Sequence, residues 1–176
     1  MNMAKFKMLV GIILCIPILM WGGIRIYKSI NYSIECGGHL KRAADANTVE
    51  LAKTEMLTAL TFIKSRNMTN GYTSVIFNTP NEDVGFWYQN LSSSLQELNE
   101  VAPRSTQLEK SNILMKLRET LLDDGKNGQH VTQPQGISVF PNNVAFMIFG
   151  LVFFVLMVLG VALIIVAIEQ LEEWRR

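Results

Sequence analysis

The amino-acid sequence predicts an all-α protein: two transmembrane helices flanking an extracytoplasmic helical bundle of three to four helices. Three observations lead to this prediction. Residues 144–168 form an apolar run without a charge or a side-chain amide or hydroxyl, and a helix needs about 20 apolar residues to cross a bilayer. A second apolar run lies near the N-terminus, at 8–24. Between the two runs, apolar residues recur at intervals of three and four, as in helices with one buried face.

The N-terminal run is typical of an uncleaved signal anchor. Lys5 and Lys7 supply a positive start, but the apolar run is longer than a usual signal core, and no small-x-small pair ends it as a cleavage site would. The predicted organisation is therefore a signal-anchor transmembrane helix (1–28), a helical domain (29–123), a linker (124–143), a second transmembrane helix (144–168) and a short tail (169–176).

Two spans place both termini on the same side of the membrane. Basic residues lie near both chain ends: Lys5, Lys7, Arg175 and Arg176. They favour the cytoplasm for that side, as does the resemblance to a signal anchor, although Arg25 and Lys28 flank the opposite face. We therefore predict an integral protein of a bacterial inner or plasma membrane, with cytoplasmic termini and an extracytoplasmic central domain.

Residues 27–66 lack proline and are rich in helix-forming residues, which predicts one continuous helix emerging from the first span. Its apolar positions fall on two faces about 100° apart, with the change near residues 45–47. Asn47 with Glu50 three residues later also resembles a capping box, which marks helix starts. A hairpin near residue 46 is the alternative, and it would give four helices in the domain instead of three.

Residues 82–102 show the clearest amphipathic helix of the domain. Asn81 is its predicted N-cap, and Pro103 is expected to end it and to begin a further helix over 104–123, stopped by Gly125. The stripe expected to face the core consists of Val84, Trp87, Tyr88, Leu91, Leu95, Leu98 and Ala102.

Two segments carry turn signals rather than helical periodicity. Residues 67–81 contain Asn-Gly and Thr-Pro-Asn, and the apolar stretch 73–77 between them is predicted to be a packed extended segment. Residues 126–143 are rich in Gly, Pro, Asn and Gln and are predicted to form the linker into the second span.

Composition argues against several classes of function. A formal net charge of +1 gives no basis for binding nucleic acid. His39 and His130 lie on different predicted elements, and no Cys/His/Asp cluster has ligand spacing, so we predict no metal site and no cofactor. No nucleophile motif occurs, so no catalytic residue is assigned.

The two cysteines, Cys15 and Cys36, are not expected to lie near each other. Cys36 is interpreted as an inert packed thiol, with a disulfide to a partner chain as the alternative.

The candidate partner contacts are apolar and small residues outside the predicted core. Phe86 lies off the apolar stripe of its helix and is the candidate in the domain. Gly11 and Cys15 form a small-xxx-small pair in the first span. In the second span, bulky packing is expected to rest on phenylalanines: Phe149, Phe153 and Phe154.

The leading hypothesis is a non-enzymatic accessory, assembly or regulatory subunit that binds another membrane protein, or copies of itself, through its spans and its bundle. The layout also resembles the periplasmic four-helix-bundle module of bacterial chemoreceptors, which implies a ligand sensor acting with a partner signalling protein. This likeness concerns layout alone, because no family motif matches. The topology is similar to that of channel auxiliary subunits as well, although their loops typically carry several disulfides. The sequence alone does not predict whether the bundle binds a small molecule.

Overall fold

The computed structural model describes residues 3–101, 105–125 and 128–174. Within them the chain is mostly helical and divides into two compact units, Met1–Tyr27 with Val144–Arg176, and Lys28–Asn143. The helices are α1 (Met3–Tyr32), α2 (Gly38–Ala44), α3 (Val49–Ser65), α4 (Val84–Glu100), α5 (Gln107–Leu121) and α6 (Asn143–Glu173), and the strands are β1 (Leu122–Gly125) and β2 (Gly128–Val131). A π-helical turn, Ser33–Gly37, joins α1 to α2 without a break in the helical backbone.

The first unit pairs the N-terminal part of α1 with α6. Both helices are long and apolar enough to cross a membrane, as predicted. Small buried residues recur at intervals of seven on each, at Ala4 and Gly11 and at Gly160 and Ala167. A seven-residue interval keeps small residues on one stripe of a helix, and small residues let two helix backbones approach closely.

In the second unit, the prediction of one continuous helix over 27–66 is wrong, and the alternative hairpin is observed. The helix ends at Ala44, and α3 begins after the N-cap Thr48, whose hydroxyl accepts a hydrogen bond from the Leu51 amide at 3.2 Å. The cap is thus one residue later than the Asn47 predicted. The two apolar faces noted in the sequence belong to two helices, α2 and α3.

The four helices of this unit contact one another in a closed ring: α2 with α3, α3 with α4, α4 with α5, and α5 with α2. The predicted stripe of α4 faces the resulting core, with Val84, Trp87, Leu91 and Leu98 buried. Its N-cap is Asp83 and not Asn81, because the Asp83 carboxylate accepts from the Phe86 amide at 2.9 Å. Ala102 lies outside the described residues.

Helix α5 begins later and ends earlier than predicted. Thr106 caps it in a capping box with Glu109, while the predicted start at 103–104 lies outside the described residues. After Leu121 the chain enters the antiparallel hairpin β1–β2, in which Leu122 pairs with Val131. An all-α class is therefore too strict, although the hairpin contributes only two four-residue strands.

The two segments predicted to be irregular behave in opposite ways. The predicted linker is packed, with Ile137, Val139 and Phe140 buried, because its apolar residues cover one side of the helical core. In 73–77, by contrast, Ile76 is 75% and Phe77 is 77% exposed. The prediction that this stretch packs is therefore wrong, since only Thr73 within it is buried.

Candidate functional sites

The closest approach of α1 and α6 lies at two glycines. A Cβ atom added to Gly11 would stand 2.6 Å from the Gly160 carbonyl oxygen, and one added to Gly160 would stand 2.6 Å from the Gly11 carbonyl oxygen. The Cys15 thiol lies 3.9 Å from the Met157 carbonyl oxygen. The structure therefore places Gly11 and Cys15, predicted as partner contacts, against the other long helix of the same chain.

An apolar groove of about 410 Å³ lies between residues 17–24 of α1 and residues 146–153 of α6. We call it the aromatic groove. Its rim includes Phe149 and Phe153, whose rings stack with centroids 5.8 Å apart, so two predicted contacts share one site. Phe154 is 54% exposed and is not among the lining residues. The groove is lined by Pro17, Met20, Trp21, Ile24, Phe146, Phe149 and Phe153.

Trp21 holds the aromatic groove in shape. Its indole N–H donates to the Phe146 carbonyl oxygen at 3.1 Å, and its ring packs so closely on Gly150 that a Cβ there would approach to 2.9 Å. Arg25 lies over the same ring, with its guanidinium carbon 5.4 Å from the centroid. No local sequence pattern indicates this role of Trp21, because Phe146 and Gly150 lie more than a hundred positions away.

A second groove lies beside Phe86 in the second unit, Lys28–Asn143, which we call the helical unit. It has a volume of about 590 Å³, and we call it the acidic groove because, among the residues that the structure describes, its lining includes Glu82, Asp83 and Asp123 and no basic side chain. Phe86 is 61% exposed. Trp87, at the floor, donates its indole N–H to the Thr132 carbonyl oxygen at 2.9 Å, so the predicted linker supplies one wall.

A charged cluster joins α2 to α3 within the core. Glu55 is 5% exposed, and its carboxylate lies 2.6 Å from His39 Nδ1 and 2.6 Å from Arg42 Nη2. This cluster was not predicted from the sequence, because the hairpin that brings His39 to Glu55 was only the alternative prediction. Among the described residues, no group of three His, Cys, Asp or Glu side chains is arranged to hold a metal ion.

Tyr32 directly precedes the π-helical turn and Cys36 lies within it, beyond the apolar run 8–24 and within the second unit. Tyr32 donates to the Gln133 side-chain oxygen at 3.0 Å, and Cys36 is fully buried. Burial raises the pKa of the Cys36 thiol to about 12, against the smaller opposing effect of its hydrogen bond with Tyr32. Burial also raises the pKa of the Tyr32 phenol above its usual range. Both groups are therefore neutral at physiological pH.

Cys36 is accordingly expected to resist alkylation by iodoacetamide at pH 8 in the folded protein and to react after denaturation in guanidinium. The thiolate is the reactive form, and with a pKa of about 12 only about one thiol in ten thousand is ionised at pH 8. Peptide mass spectrometry separates Cys36 from Cys15. Thr58→Cys, at an exposed position of α3, provides a reactive control. Alkylation of native Cys36 at the rate of that control would contradict the expectation, as would a disulfide to another chain.

No protein-family model, curated protein or solved structure matches the chain. Its function is therefore inferred from the two grooves and the exposed apolar surface. The aromatic groove, with the Arg25 guanidinium beside it, suits an apolar group of a ligand. The acidic groove, with the Phe86 ring beside it, suits a polar or cationic group of a ligand.

Proposed function

We propose that the chain is a non-enzymatic integral membrane protein whose helical unit lies outside the cytoplasm, and that it serves as an accessory or assembly subunit of another membrane protein. Membrane insertion is carried by one observation. Only 6% and 11% of the most apolar stretches of the two long helices are buried within the chain. The core helix of a soluble protein would be mostly buried, so this exposure supports cover by lipid or by other membrane helices.

Phe86 is the proposed anchor for the partner. It lies in the first turn of α4, where the side chain of Asp83 holds its backbone amide, so the ring is presented from a fixed backbone. Aromatic residues are enriched at protein interfaces, and a few such anchors carry most of the binding energy. The acidic groove beside it would receive polar or basic groups of the same partner.

Phe86→Ser is expected to weaken the complex between the full-length chain and its partner by about tenfold or more, because hot-spot aromatics contribute about 2 kcal/mol. The complex is to be isolated from native membranes in mild detergent, identified by mass spectrometry and followed by size-exclusion chromatography. Leu108→Ser is the matched control, since Leu108 is 70% exposed in the first turn of α5.

Equal losses in the two variants would contradict the role of Phe86. Recovery of a monomer alone in several gentle detergents would contradict the accessory-subunit proposal. Release of the chain from membranes by alkaline carbonate would contradict insertion itself. A complex that contains only copies of the chain would identify the partner as the chain itself.

A ligand sensor acting with a signalling partner is the second candidate, and the size of the acidic groove favours it. Ligand pockets typically measure about 300–1,000 Å³, and this groove measures about 590 Å³. Its carboxylates select cationic molecules, of which spermidine is a convenient probe. A saturable rise in melting temperature of the full-length protein would support this candidate.

A further inference from the structure

The aromatic groove is built for an apolar occupant. Its lining side chains are hydrocarbon apart from the Met20 thioether and the Trp21 indole, and the indole N–H is already bonded to the Phe146 carbonyl oxygen. Gly150 leaves space for the Trp21 ring, so the ring packs against α6 instead of filling the groove. In a membrane, such a groove takes either the acyl chain of a lipid or side chains of another helix.

A cation at the groove distinguishes these occupants. Arg25 follows Ile24, a lining residue, and its guanidinium lies over the Trp21 ring. Arg25 is exposed, and its planar fork of donors matches the oxygens of a phosphate. Tryptophan and arginine at the end of a span suit the depth of lipid head groups. The aromatic groove with the exposed Arg25 guanidinium beside it therefore fits a phospholipid, which combines an apolar chain with a phosphate.

We propose that the aromatic groove binds one acyl chain of an anionic phospholipid and that Arg25 binds its phosphate. An anionic head group is favoured because the cationic group of a zwitterionic lipid would approach the guanidinium with like charge. This inference rests on the membrane insertion proposed above and requires no protein partner. The lipid would complete the surface of the helix pair at the aromatic groove.

The test compares phosphatidylglycerol with phosphatidylcholine of identical acyl chains, each added to the full-length protein in mild detergent and counted as retained adducts by native mass spectrometry. The parent protein is expected to retain one phosphatidylglycerol about tenfold better, the effect of one charge-assisted interaction. Arg25→Gln is expected to remove this preference, and Arg25→Lys to keep part of it. Phe153→Ala is expected to reduce retention of both lipids, whereas Phe154→Ala, outside the groove, leaves retention unchanged.

Location is checked by fluorescence in bilayers of phosphatidylglycerol with brominated acyl chains. Quenching of the parent protein should exceed that of Trp21→Phe, because the fluorescent residue in the groove is absent from the variant.

Equal retention of the two lipids by the parent protein, or equal effects of Phe153→Ala and Phe154→Ala, would overturn the inference. A co-purifying protein that displaces the lipid would also overturn it. Helical circular dichroism shows whether each variant is folded. Carbonate-resistant insertion without lipid preference refutes only this inference, whereas carbonate release refutes the proposed function.

Discussion

Replacing Gly11 with leucine is expected to separate the two long helices of the first unit. A Cβ at this position would lie 2.6 Å from the Gly160 carbonyl oxygen and 2.6 Å from Ile164 Cγ1. The carbonyl belongs to the α6 backbone and cannot rotate away, so the helices must move apart. Membrane helices have no hydrophobic driving force to hold them together, and close packing of small residues is a main source of their association. Overpacking by even a few atoms costs about 1–3 kcal/mol.

The separation is measurable by cross-linking Lys7→Cys to Gln170→Cys with a short bifunctional maleimide, since the Lys7 ammonium and the Gln170 side-chain oxygen are 3.2 Å apart in the parent protein. Gly11→Leu should lower the cross-linked yield about tenfold. Gly22→Leu is the matched control, because a Cβ there meets nothing within 4 Å. Undiminished cross-linking in Gly11→Leu would show that the glycine contact does not hold the pair.

The features predicted correctly from the sequence are those encoded by local periodicity. The run 144–168 lies within α6, and the stripe that begins at Val84 and Trp87 faces the core of the helical unit. Both patterns depend on intervals of a few residues, which the geometry of a helix converts directly into a face. No knowledge of the rest of the chain is needed to recognise them.

The hairpin after Ala44 was harder to predict, because a continuous helix and a hairpin differ at only a few turn residues. Local propensity over 27–66 favours helix throughout. Tertiary packing favours the hairpin, because α2 packs on both α3 and α5 and Ala46 in the turn is only 9% exposed. The change of apolar face and the capping-box pattern of Asn47 and Glu50 were the local signals of the turn, and both lie at or next to the observed turn.

The candidate sites depend on residues far apart in sequence, so only parts of them were predicted. Phe149 and Phe153 were selected as bulky apolar residues, but the groove also requires Trp21 and Gly150 from two different helices. The second span contains no GxxxG pattern that would mark the glycine contact, because its small buried residues recur at an interval of seven. Phe86 was predicted because it is an apolar residue that lies off the regular apolar stripe of its helix, and such a pattern is local in the sequence.

Removing both basic partners of Glu55 is expected to destabilise the helical unit strongly. The Glu55 side chain is only 6% exposed, while those of His39 and Arg42 are 26% and 66% exposed. The double variant His39→Leu/Arg42→Met therefore leaves a buried carboxylate without compensation, which costs about 3–5 kcal/mol in comparable cases. Adding Glu55→Met should restore most of this loss, because the buried charge is removed together with its partners.

Hydrogen exchange of the α3 amides, followed by mass spectrometry of the full-length protein, reports the free energy of opening of this region. Lys41→Met is the matched control, because the Lys41–Asp45 pair is exposed on both sides and such pairs contribute about 0–1 kcal/mol. The decisive comparison is between the double variant and the triple variant that adds Glu55→Met. If it stays as unstable as the double variant, the loss comes from packing around His39 and Arg42. If it recovers, the ion pairs serve to compensate a carboxylate buried between α2 and α3, and the hairpin that the sequence left open is held by charge as well as by its apolar face.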